Sequence, residues 1–283
     1  ILGIERPKSI NYQELRGSAQ CKTAVMLAAL KSHGSTFIKA KKSRDHTELL
    51  FDYLKLPIKI KKKQDYDFIK IQGTKKIKSL NYRIPGDISS SAFFLVLTLL
   101  SKKSRLLIRN VNVNPSRTGV IKILKKMGAP IKILNQKKYK GEMIADILVK
   151  SATNLKGINC PEKHNSSAID EFLVIFLVAA KSKGISYFKN LSELNQKESP
   201  RLKWASKILN LIGIKNVVTN SSIKIYGNPH HTTTNTIIIK DYLKDHRIFM
   251  MSTVAALTFG GKWKINDLNS INTSFPSFLK TLR

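Results

Sequence analysis

The feature that most constrains the fold is an internal repeat. A polar cluster followed by an apolar helix recurs near Ser18, Ser89, Ser166 and Asp245. The spacing is roughly 70 to 80 residues, which is too long for a solenoid repeat. Alternating apolar and polar residues predict strands around a second helix, so each repeat has the order βαβαββ. Such a unit needs neighbours to complete its core. The sequence therefore predicts an α/β (α+β) fold in which repeated units pack into lobes.

Polar residues gather at two places in every repeat, the start of the first helix and the loop before the second. Helix N-termini carry unpaired N–H groups and the positive end of the helix dipole, so several of them facing one cleft would attract an anion. At the first helices the residues are Ser18, Gln20, Asp87, Ser90, Asp170, Glu171, Asp245 and Arg247. In the loops they are Arg44, Arg117, Lys197, Glu198, Arg201, Thr273 and Ser274.

The stretch 191–201 carries the densest group of charges. Ser199 is a favoured N-cap and Pro200 is favoured at the first helical position, so a helix is predicted from Pro200 to Gly213. A cation, a carboxylate and an arginine at such a helix start can hold a phosphate or carboxylate and move a proton beside it. The triplet alone also fits a solvated, charged helix start. Polar residues recur at the corresponding places of the other repeats, which favours a binding site over a solvated helix start.

The charge balance points to anionic partners. The chain has 50 Lys and Arg against 18 Asp and Glu, a formal net charge of +32. Nucleic acid, a membrane surface and small anionic substrates would all suit such a chain. Lysines occur in nearly every segment, however, and no basic run is interleaved with aromatics, so no specific nucleic-acid partner is predicted. The longest apolar runs, 92–100 and 172–180, are too short to span a bilayer, so no membrane partner is predicted either.

Neither a metal nor a cofactor is predicted. Cys21 and Cys160 form no disulfide framework and have no metal-ligand spacing, which favours idle thiols in a reducing compartment. His46 and His246 have no cluster of ligands around them, so structural roles are favoured. Arg117 lies in the turn sequence NPSRTG, where a loop-fixing role is favoured over a ligand contact.

Eight stretches form an ordered series of motifs along almost the whole chain: GSAQCKTAVMLAAL, SRDHTELL, PGDISSSAFFL, NPSRTG, IDEFLV, KESPRL, DHRIFMM and TSFPSF. Their residues and order resemble those of the 5-enolpyruvylshikimate-3-phosphate synthase family, and SAQ and SRDHTE resemble its bacterial class II branch. The resemblance implies the enolpyruvyl transferase fold, in which two lobes of three βαβαββ units close on shikimate 3-phosphate and phosphoenolpyruvate. Residues 1–85 would be the remaining part of the lobe that binds shikimate 3-phosphate. Residues 86–283 would be the second lobe, with three units and most of the phosphoenolpyruvate contacts.

The resemblance also implies roles for individual residues. Contacts with shikimate 3-phosphate are implied for Ser18, Ala19, Gln20, Arg44, Asp170 and Lys197. Contacts with phosphoenolpyruvate are implied for Lys197, Arg201 and Arg247, and a guanidinium fork suits this ligand because it pairs bidentately with carboxylate or phosphate. We assign Asp170 as the base near the 5-hydroxyl and Glu198 as the acid near C3, with Lys197 between the two substrates.

The implied activity is a transferase step of the shikimate pathway to aromatic amino acids. The enolpyruvyl group of phosphoenolpyruvate passes to the 5-hydroxyl of shikimate 3-phosphate, and phosphate is released. The resemblance implies no cofactor, two small-molecule substrates and a cytoplasmic monomer.

The chain departs from the family pattern in two ways. Asn195 stands where the family commonly has Arg, and Pro200 where it has Asp. The resemblance also implies that chain 1–283 lacks the family's N-terminal Lys-Ser pair with its nearby Arg and the family's Asn-x-Gly-Thr loop with a following Arg, which supply part of both substrate sites. We therefore expect chain 1–283 on its own to have little or no catalytic activity.

Other functions stay open on the sequence. The enolpyruvyl transferase that acts on UDP-N-acetylglucosamine shares the repeat, although KESPR, DHR and SAQ favour the shikimate enzyme. A basic nucleic-acid-binding protein could use the same fold, and salt-sensitive binding alone would not identify it, because any chain of charge +32 shows that behaviour. The departures also fit the product of a decaying gene.

Overall fold

The chain divides into two units in the computed structural model, which describes residues 4–74 and 76–282. The first unit comprises Ile1–Pro85 and Lys137–Ile144, and the second comprises Gly86–Gln136 and Ala145–Arg283. Residues 1–3, 75 and 283, which the predicted lobes include, lie outside the described residues. None of the helices in the described ranges combines the length and the apolar character needed to cross a bilayer.

The first unit contains one complete βαβαββ repeat. Its elements are β1 (Asn11–Glu14), α1 (Ala19–Ala29), β2 (Ser35–Lys41), α2 (His46–Tyr53), β3 (Ile58–Lys62) and β4 (Tyr66–Gln72). The sheet has the order β1-β2-β4-β3, with β1 parallel to β2 and the other pairs antiparallel. Alternation along the strands decides which face is buried. Ile38 and Ile69 pair across the sheet and pack with Met26 and Phe51 of the helices.

The second unit contains three further groups of helices and strands. Its elements are α3 (Ile88–Leu100), β5 (Arg105–Asn112), α4 (Gly119–Lys126), β6 (Ile131–Tyr139), β7 (Glu142–Lys150), α5 (Asn165–Ala168), α6 (Phe172–Ala180), β8 (Gly184–Phe188), α7 (Arg201–Leu211), β9 (Asn216–Val218), β10 (Ile223–Gly227), β11 (Thr236–Ile239), α8 (His246–Phe259), β12 (Lys262–Ile265) and α9 (Phe278–Thr281). The strands form sheets of order β5-β7-β6, β8-β10-β9 and β11-β12. The α/β class predicted from the repeat is confirmed.

The leading strand of the repeat is shorter than predicted in part of this unit. The fourth repeat has a full parallel pair, β11 and β12. In the second and third repeats, isolated parallel bridges stand in its place and join Gly86 to Val111, Lys156 to Lys183, and Asn159 to Tyr187. The order of the remaining elements is unchanged.

The hairpin of β6 and β7 is longer than the sequence indicates. The sequence predicts strands over 130–134 and 146–151 only, but β6 continues to Tyr139 and β7 begins at Glu142. Lys140 and Gly141 form the connection, with φ values of 46° and 90°. Two residues of positive φ match the twist of a hairpin, and glycine takes this conformation without a steric cost. The hairpin end of β6 and β7 was therefore not predicted, because its residues are mostly polar.

The end of this hairpin belongs to the first unit, although the sequence assigned it to the second lobe. Within Lys137–Ile144, the ring of Tyr139 lies 5.4 Å from that of Tyr82, and Glu142 pairs with His46. These contacts join residues that are far apart in sequence, so no pattern of strands could indicate them.

The core of the second unit is built on three apolar helices, α3, α6 and α8, which pack on one another. All nine residues of α6 are buried, because a continuous apolar run can meet neighbours on every side. Charged residues lie only at or just before the starts of these helices. Their mutual packing brings those starts together and positions the candidate site.

Candidate active site

The loop into α7 carries several of the predicted site residues. A short 3-10 helix precedes it, and α7 begins at Arg201. The prediction that Ser199 caps this helix and Pro200 is its first residue was wrong. Pro200 occupies the N-cap position, and Ser199 Oγ donates to Asp245 Oδ2 at 2.8 Å. The hydroxyl of Ser199 is thus bound to a residue distant in sequence, and a local capping pattern cannot indicate such a partner.

Arg201 is the centre of this group, and its side chain is only 1% exposed. Its guanidinium forks onto Asp245, with Nε 2.8 Å from Oδ2 and Nη2 3.2 Å from Oδ1. Nη1 also lies 3.4 Å from Asp170 Oδ1, and Nη2 pairs with Glu198 Oε2. A planar guanidinium with five donors can serve several acceptors at once. One cation therefore joins three carboxylates from different segments.

Asp245 anchors Arg201 and is itself the N-cap of α8, where it accepts from the backbone N–H of Arg247 at 2.9 Å. Its side chain is fully buried. Burial alone would raise the pKa of Asp245, but the hydrogen bonds and charge of Arg201, with the bond from Ser199, hold that pKa below its ordinary value. An ionised Asp245 fixes the orientation of the guanidinium.

Asp170 lies between two arginines. Arg201 approaches its Oδ1, while Arg247 Nη2 is 3.8 Å from its Oδ2. Arg247 Nη1 also donates to the Asp170 carbonyl oxygen at 2.9 Å, which ties the starts of α6 and α8 together. The side chains of Asp170 and Arg247 are 12% and 13% exposed, so both remain accessible. A carboxylate flanked by guanidinium groups can accept a proton while the cations hold an anion.

A second network joins the starts of α3 and α6. Glu171 is buried and accepts a hydrogen bond from Ser89. Arg117 Nη2 donates to Ser89 Oγ at 2.5 Å and to Asp87 Oδ1 at 2.9 Å. Burial raises the pKa of Glu171, in spite of the nearby charge of Arg247. The predicted loop-fixing role of Arg117 is confirmed, because its guanidinium ties the loop before α4 to the start of α3.

Lys197 and Glu198 are adjacent in sequence but take different partners. Lys197 Nζ pairs with Glu193 Oε1 at 2.7 Å, and both side chains are accessible, 26% and 52% exposed. Glu198 is 55% exposed and reaches Arg201. The expected position of this pair between two substrates therefore stays a prediction.

In the first unit, the Ser-Ala-Gln motif forms the start of α1. Ser18 Oγ accepts from the backbone N–H of Cys21 at 3.2 Å, so the predicted N-cap is confirmed. Ala19 is the first helical residue. Ser18 and Ala19 are half-buried and Gln20 is exposed, so this helix start is accessible, as an anion site requires.

The loop that carries Arg44 is fixed by a buried cation. Lys22, on α1, is 1% exposed, and its Nζ donates to the Arg44 carbonyl oxygen at 3.0 Å. The same Nζ lies 2.5 Å from Glu48 Oε1, whose side chain is 3% exposed. The hydroxyls of Thr23 and Thr47 also meet at 2.6 Å. These contacts hold the starts of α1 and α2 beside each other.

Both cysteines are free thiols. Cys21 is exposed, whereas Cys160 is buried, and burial raises its pKa to about 11. Within residues 4–74 and 76–282, no three His, Cys, Asp or Glu side chains are grouped so as to hold a metal ion.

Comparison with known proteins shows the family of the chain. The family model described as EPSP synthase (3-phosphoshikimate 1-carboxyvinyltransferase) matches residues 2–282. The chain belongs to the EPSP synthase family. The family resemblance read from the eight motifs is thereby confirmed.

Relatives in the EPSP synthase family cover the chain almost completely. The 3-phosphoshikimate 1-carboxyvinyltransferase of Petrotoga mobilis is 36% identical over 280 residues, 98% of this chain and 63% of the relative. That of Ruthia magnifica is 38% identical over 281 residues, 99% of this chain and 63% of the relative. The chain thus spans about 63% of the length of these curated relatives.

Solved structures agree with the fold. An EPSP synthase structure from Acinetobacter baumannii superposes with a TM-score of 0.87 at 34% identity, covering 97% of this chain and 62% of that one. The enolpyruvyl transferase NikO from Streptomyces tendae superposes with a TM-score of 0.71 at 13% identity, covering 99% of this chain and 64% of that one. The second likeness shows the fold alone. The predicted enolpyruvyl transferase fold is confirmed.

For this member of the EPSP synthase family, sequence reasoning missed the residues that hold the site together. Asp245 was noticed only as part of a helix start, and Ser199 only as a cap. The buried pair of Lys22 and Glu48 was not noticed at all. A charged residue inside an apolar helical run, such as Lys22 in AQCKTAVML, is the signal that could have indicated a buried ion pair.

Proposed function

We propose that this chain acts in the transfer of the enolpyruvyl group from phosphoenolpyruvate to the 5-hydroxyl of shikimate 3-phosphate, with release of phosphate. The observation that carries the proposal is Asp170 held between Arg201 and Arg247, with both Asp170 and Arg247 accessible. The relatives bear the name of this activity. No observation favours the UDP-N-acetylglucosamine reaction over it.

The two arginines bind phosphoenolpyruvate in this proposal. The Arg247 guanidinium is accessible and would pair with one anionic group of the substrate. The Nη2 of Arg201 is shared between Asp245 and Glu198, and Glu198 is more than half exposed. A substrate carboxylate can therefore compete with Glu198 for Arg201, whereas the buried bond to Asp245 keeps the guanidinium in place.

The addition step needs a base and an acid. Asp170 removes the proton of the 5-hydroxyl while that oxygen forms a bond to C2 of phosphoenolpyruvate. A proton from Glu198 is added at C3, so the methylene becomes a methyl group and C2 becomes tetrahedral. Release of Glu198 from Arg201 by the incoming substrate would free the carboxyl for this role. The arginines and Lys197 compensate the negative charge of the adduct.

The elimination step reverses the proton transfers. The bond between C2 and the phosphate oxygen breaks, and phosphate leaves with its electron pair and takes up the proton that Asp170 had accepted. A proton returns from the methyl group to Glu198, and the enol ether double bond forms again. The released phosphate is the product that an assay can follow.

Shikimate 3-phosphate binding is proposed for the first unit. The start of α1 offers Ser18, Ala19 and Gln20, and the Lys22 contact positions the loop of Arg44. We propose that residues 1–85 contribute to this substrate, that residues 86–283 carry most contacts with phosphoenolpyruvate, and that Lys197 reaches both.

A single-turnover assay tests the proposal. The chain is held in excess over phosphoenolpyruvate, so that slow transfer is also detected, and phosphate is measured with and without shikimate 3-phosphate. Because little activity is expected of the chain alone, we expect only slow phosphate release, which needs both substrates. We expect that slow release to fall about 100-fold or more in Asp170→Asn and Glu198→Gln when it is followed over a long time course. Glu162→Gln, a change at an exposed carboxylate, is the matched control and should keep the wild-type rate. A loss of tenfold or less in the first two variants would contradict their roles.

The setting of the reaction is also a proposal. We propose a cytoplasmic monomer, because an exposed free thiol at Cys21 suits a reducing compartment. Light scattering of the purified chain should give the mass of one copy, 31.9 kDa. A mass of two copies would contradict the monomer.

A further inference from the structure

The sheet of the first unit has one face buried under its helices and one outer face rich in lysine. Side chains of alternate residues project from the outer face. They form cross-strand rows, because Phe37 pairs with Lys70 and Lys39 with Phe68. The outer sheet face consists of Asn11, Gln13, Phe37, Lys39, Lys41, Lys59, Lys61, Tyr66, Phe68 and Lys70. The residues named carry five positive charges and no negative one.

Two phenylalanine rings interrupt the lysines on this face. Phe37 is 48% exposed and Phe68 is 36% exposed, which is unusual for large apolar side chains in the middle of strands. The register places them diagonally across neighbouring strands, roughly 7–8 Å apart. Two rings at this separation could each stack on one of two successive bases of an extended strand.

Lysine ammonium groups lie close to the rings. Lys70 Nζ is 5.3 Å from the centre of the Phe37 ring, and Lys39 Nζ is 4.8 Å from that of Tyr66. Lys63, next to the face, is 5.3 Å from the ring of Phe68. Each ring therefore has a cation beside it that can meet a phosphate while a base covers the ring.

A shallow groove runs across the same face. It has a volume of about 400 Å³ and is lined by residues of all four strands, among them Asn11, Lys39, Lys59 and Phe68. A groove lined by both phenylalanines and by lysines has the chemistry of single-strand binding surfaces.

We propose that the outer sheet face binds single-stranded nucleic acid without sequence specificity. The lysines bind backbone phosphates, and Phe37 and Phe68 stack on bases, whose flat faces are alike in all nucleotides. A second copy of the chain is a poor occupant, because it would place two lysine-rich faces against each other. The basic and aromatic residues alternate across strands and not along a run, so a search for a linear motif does not find them.

Fluorescence anisotropy with a labelled oligonucleotide of about 12 nucleotides tests the proposal, at roughly 50 and 200 mM salt. The double variant Phe37→Leu with Phe68→Leu keeps apolar bulk but removes both rings. We expect it to bind single strands about tenfold more weakly. The variant Phe37→Tyr with Phe68→Tyr restores the rings and should bind within about twofold of wild type. Thermal unfolding followed by circular dichroism verifies that each variant folds.

A matched control lies on another sheet. Tyr187 and Tyr226 project from the sheet of β8, β9 and β10 with Lys189 and Lys224 beside their rings. Tyr187→Leu with Tyr226→Leu should leave single-strand affinity within about twofold of wild type. An equal loss in this control would overturn the proposal, because binding would then follow charge and rings in general.

Three further outcomes would also overturn the proposal. One is a duplex of the same length bound as tightly as the single strand. Another is affinity for phosphatidylserine vesicles that falls equally in the leucine variant, which would make the face a membrane-binding surface. The third is displacement of the oligonucleotide by excess phosphoenolpyruvate at constant ionic strength, which would place the strand in the anion site of the second unit. The proposed enzymatic function does not depend on any of these results.

Discussion

Each unit of the molecule contains a buried cation, and the two cations are used differently. In the first unit, Lys22 pairs with one carboxylate, Glu48, on the neighbouring helix of the same repeat. In the second unit, Arg201 pairs with Asp245 in a fork and also reaches Asp170 and Glu198. The lysine ties two adjacent helix starts together. The arginine joins segments from two repeats, and one of its partners is the candidate base, Asp170.

Lys22 stabilises one local contact, whereas Arg201 is the centre of a network with Asp245, Asp170 and Glu198, which we call the hub. A compact ammonium suits one carboxylate and one carbonyl, whereas a guanidinium can hold several acceptors in fixed directions. Removing the lysine should therefore lower stability alone, whereas removing the arginine should lower stability and also disturb the candidate chemistry.

The largest expected effect comes from Arg201→Met. The change leaves Asp245 fully buried without its cation, which should cost about 3–5 kcal/mol of unfolding free energy. Urea unfolding followed by tryptophan fluorescence measures it, since Trp204 and Trp263 both lie in the second unit. Arg109→Met, at an exposed arginine of β5, is the control and should cost no more than about 0.5 kcal/mol. A cost below about 1 kcal/mol for Arg201→Met would contradict the claim that Arg201 is the centre of a stabilising network.

Double variants sharpen the comparison. Lys22→Met alone leaves Glu48 buried and should cost about 3 kcal/mol, but Lys22→Met with Glu48→Leu should return to within about 1 kcal/mol of wild type. Glu48 Oε2 has no hydrogen-bond donor in the ranges 4–74 and 76–282, so little else depends on this carboxylate. Hydrogen exchange of α1 measures the effect.

The matching pair in the second unit should not recover in this way. Arg201→Met with Asp245→Leu also removes the cap of α8 and the acceptor of Ser199. A cap alone is worth about 1 kcal/mol. Equal recovery of the two double variants would mean that the hub is no more than a buried pair.

A smaller effect is expected in the pH dependence of stability. The pKa of Asp245 is lowered from 3.8, so its contribution is present above that pH and is lost as the pH falls through the folded-state pKa. The pKa of Glu171 is raised from 4.5 by burial, so its contribution is present below that pH and is lost as the pH rises through the folded-state pKa. Glu171→Gln should therefore gain stability relative to wild type as the pH rises above 4.5. Urea unfolding at several pH values measures this, and an unchanged difference across the range would contradict it.

The smallest effect on stability is expected for Lys197→Met. Its ion pair with Glu193 is accessible to solvent and should contribute less than about 1 kcal/mol. If Lys197 reaches the substrates, the same variant should lose phosphate release by about tenfold or more in the single-turnover assay. A variant with unchanged stability and unchanged phosphate release would remove Lys197 from the site.

The sequence could predict the features that depend on near neighbours. The repeat and most helix starts are local patterns, and Ser18, Asp87 and Asp245 each cap the helix that follows them. The capping of α7 was mispredicted because the helix begins at Arg201, with Pro200 as its N-cap, and the Ser199 hydroxyl donates to Asp245 on another repeat. The length of the β6–β7 hairpin was missed because its end is polar and packs within the first unit.

The candidate site residues were predicted from family motifs, whereas the residues that hold them in place were not predicted. Asp170, Arg201 and Arg247 lie in three separate motifs, and the packing of α6 and α8 brings two of these motifs together. The sequence gives the identity of each side chain, but its hydrogen-bond or ion-pair partner depends on tertiary packing. The outer sheet face was missed for the same reason, because pairing of strands places Phe37 beside Lys70.

Calorimetric titration of phosphoenolpyruvate into the chain tests the central claim most directly, since it needs no turnover. We expect wild type to bind, Arg247→Gln to bind at least about tenfold more weakly, and the exposed control Arg109→Gln to match wild type. If Arg247→Gln and Arg109→Gln bind equally well, phosphoenolpyruvate is held by the general positive charge of the chain, and the site around Asp170 is not where it binds.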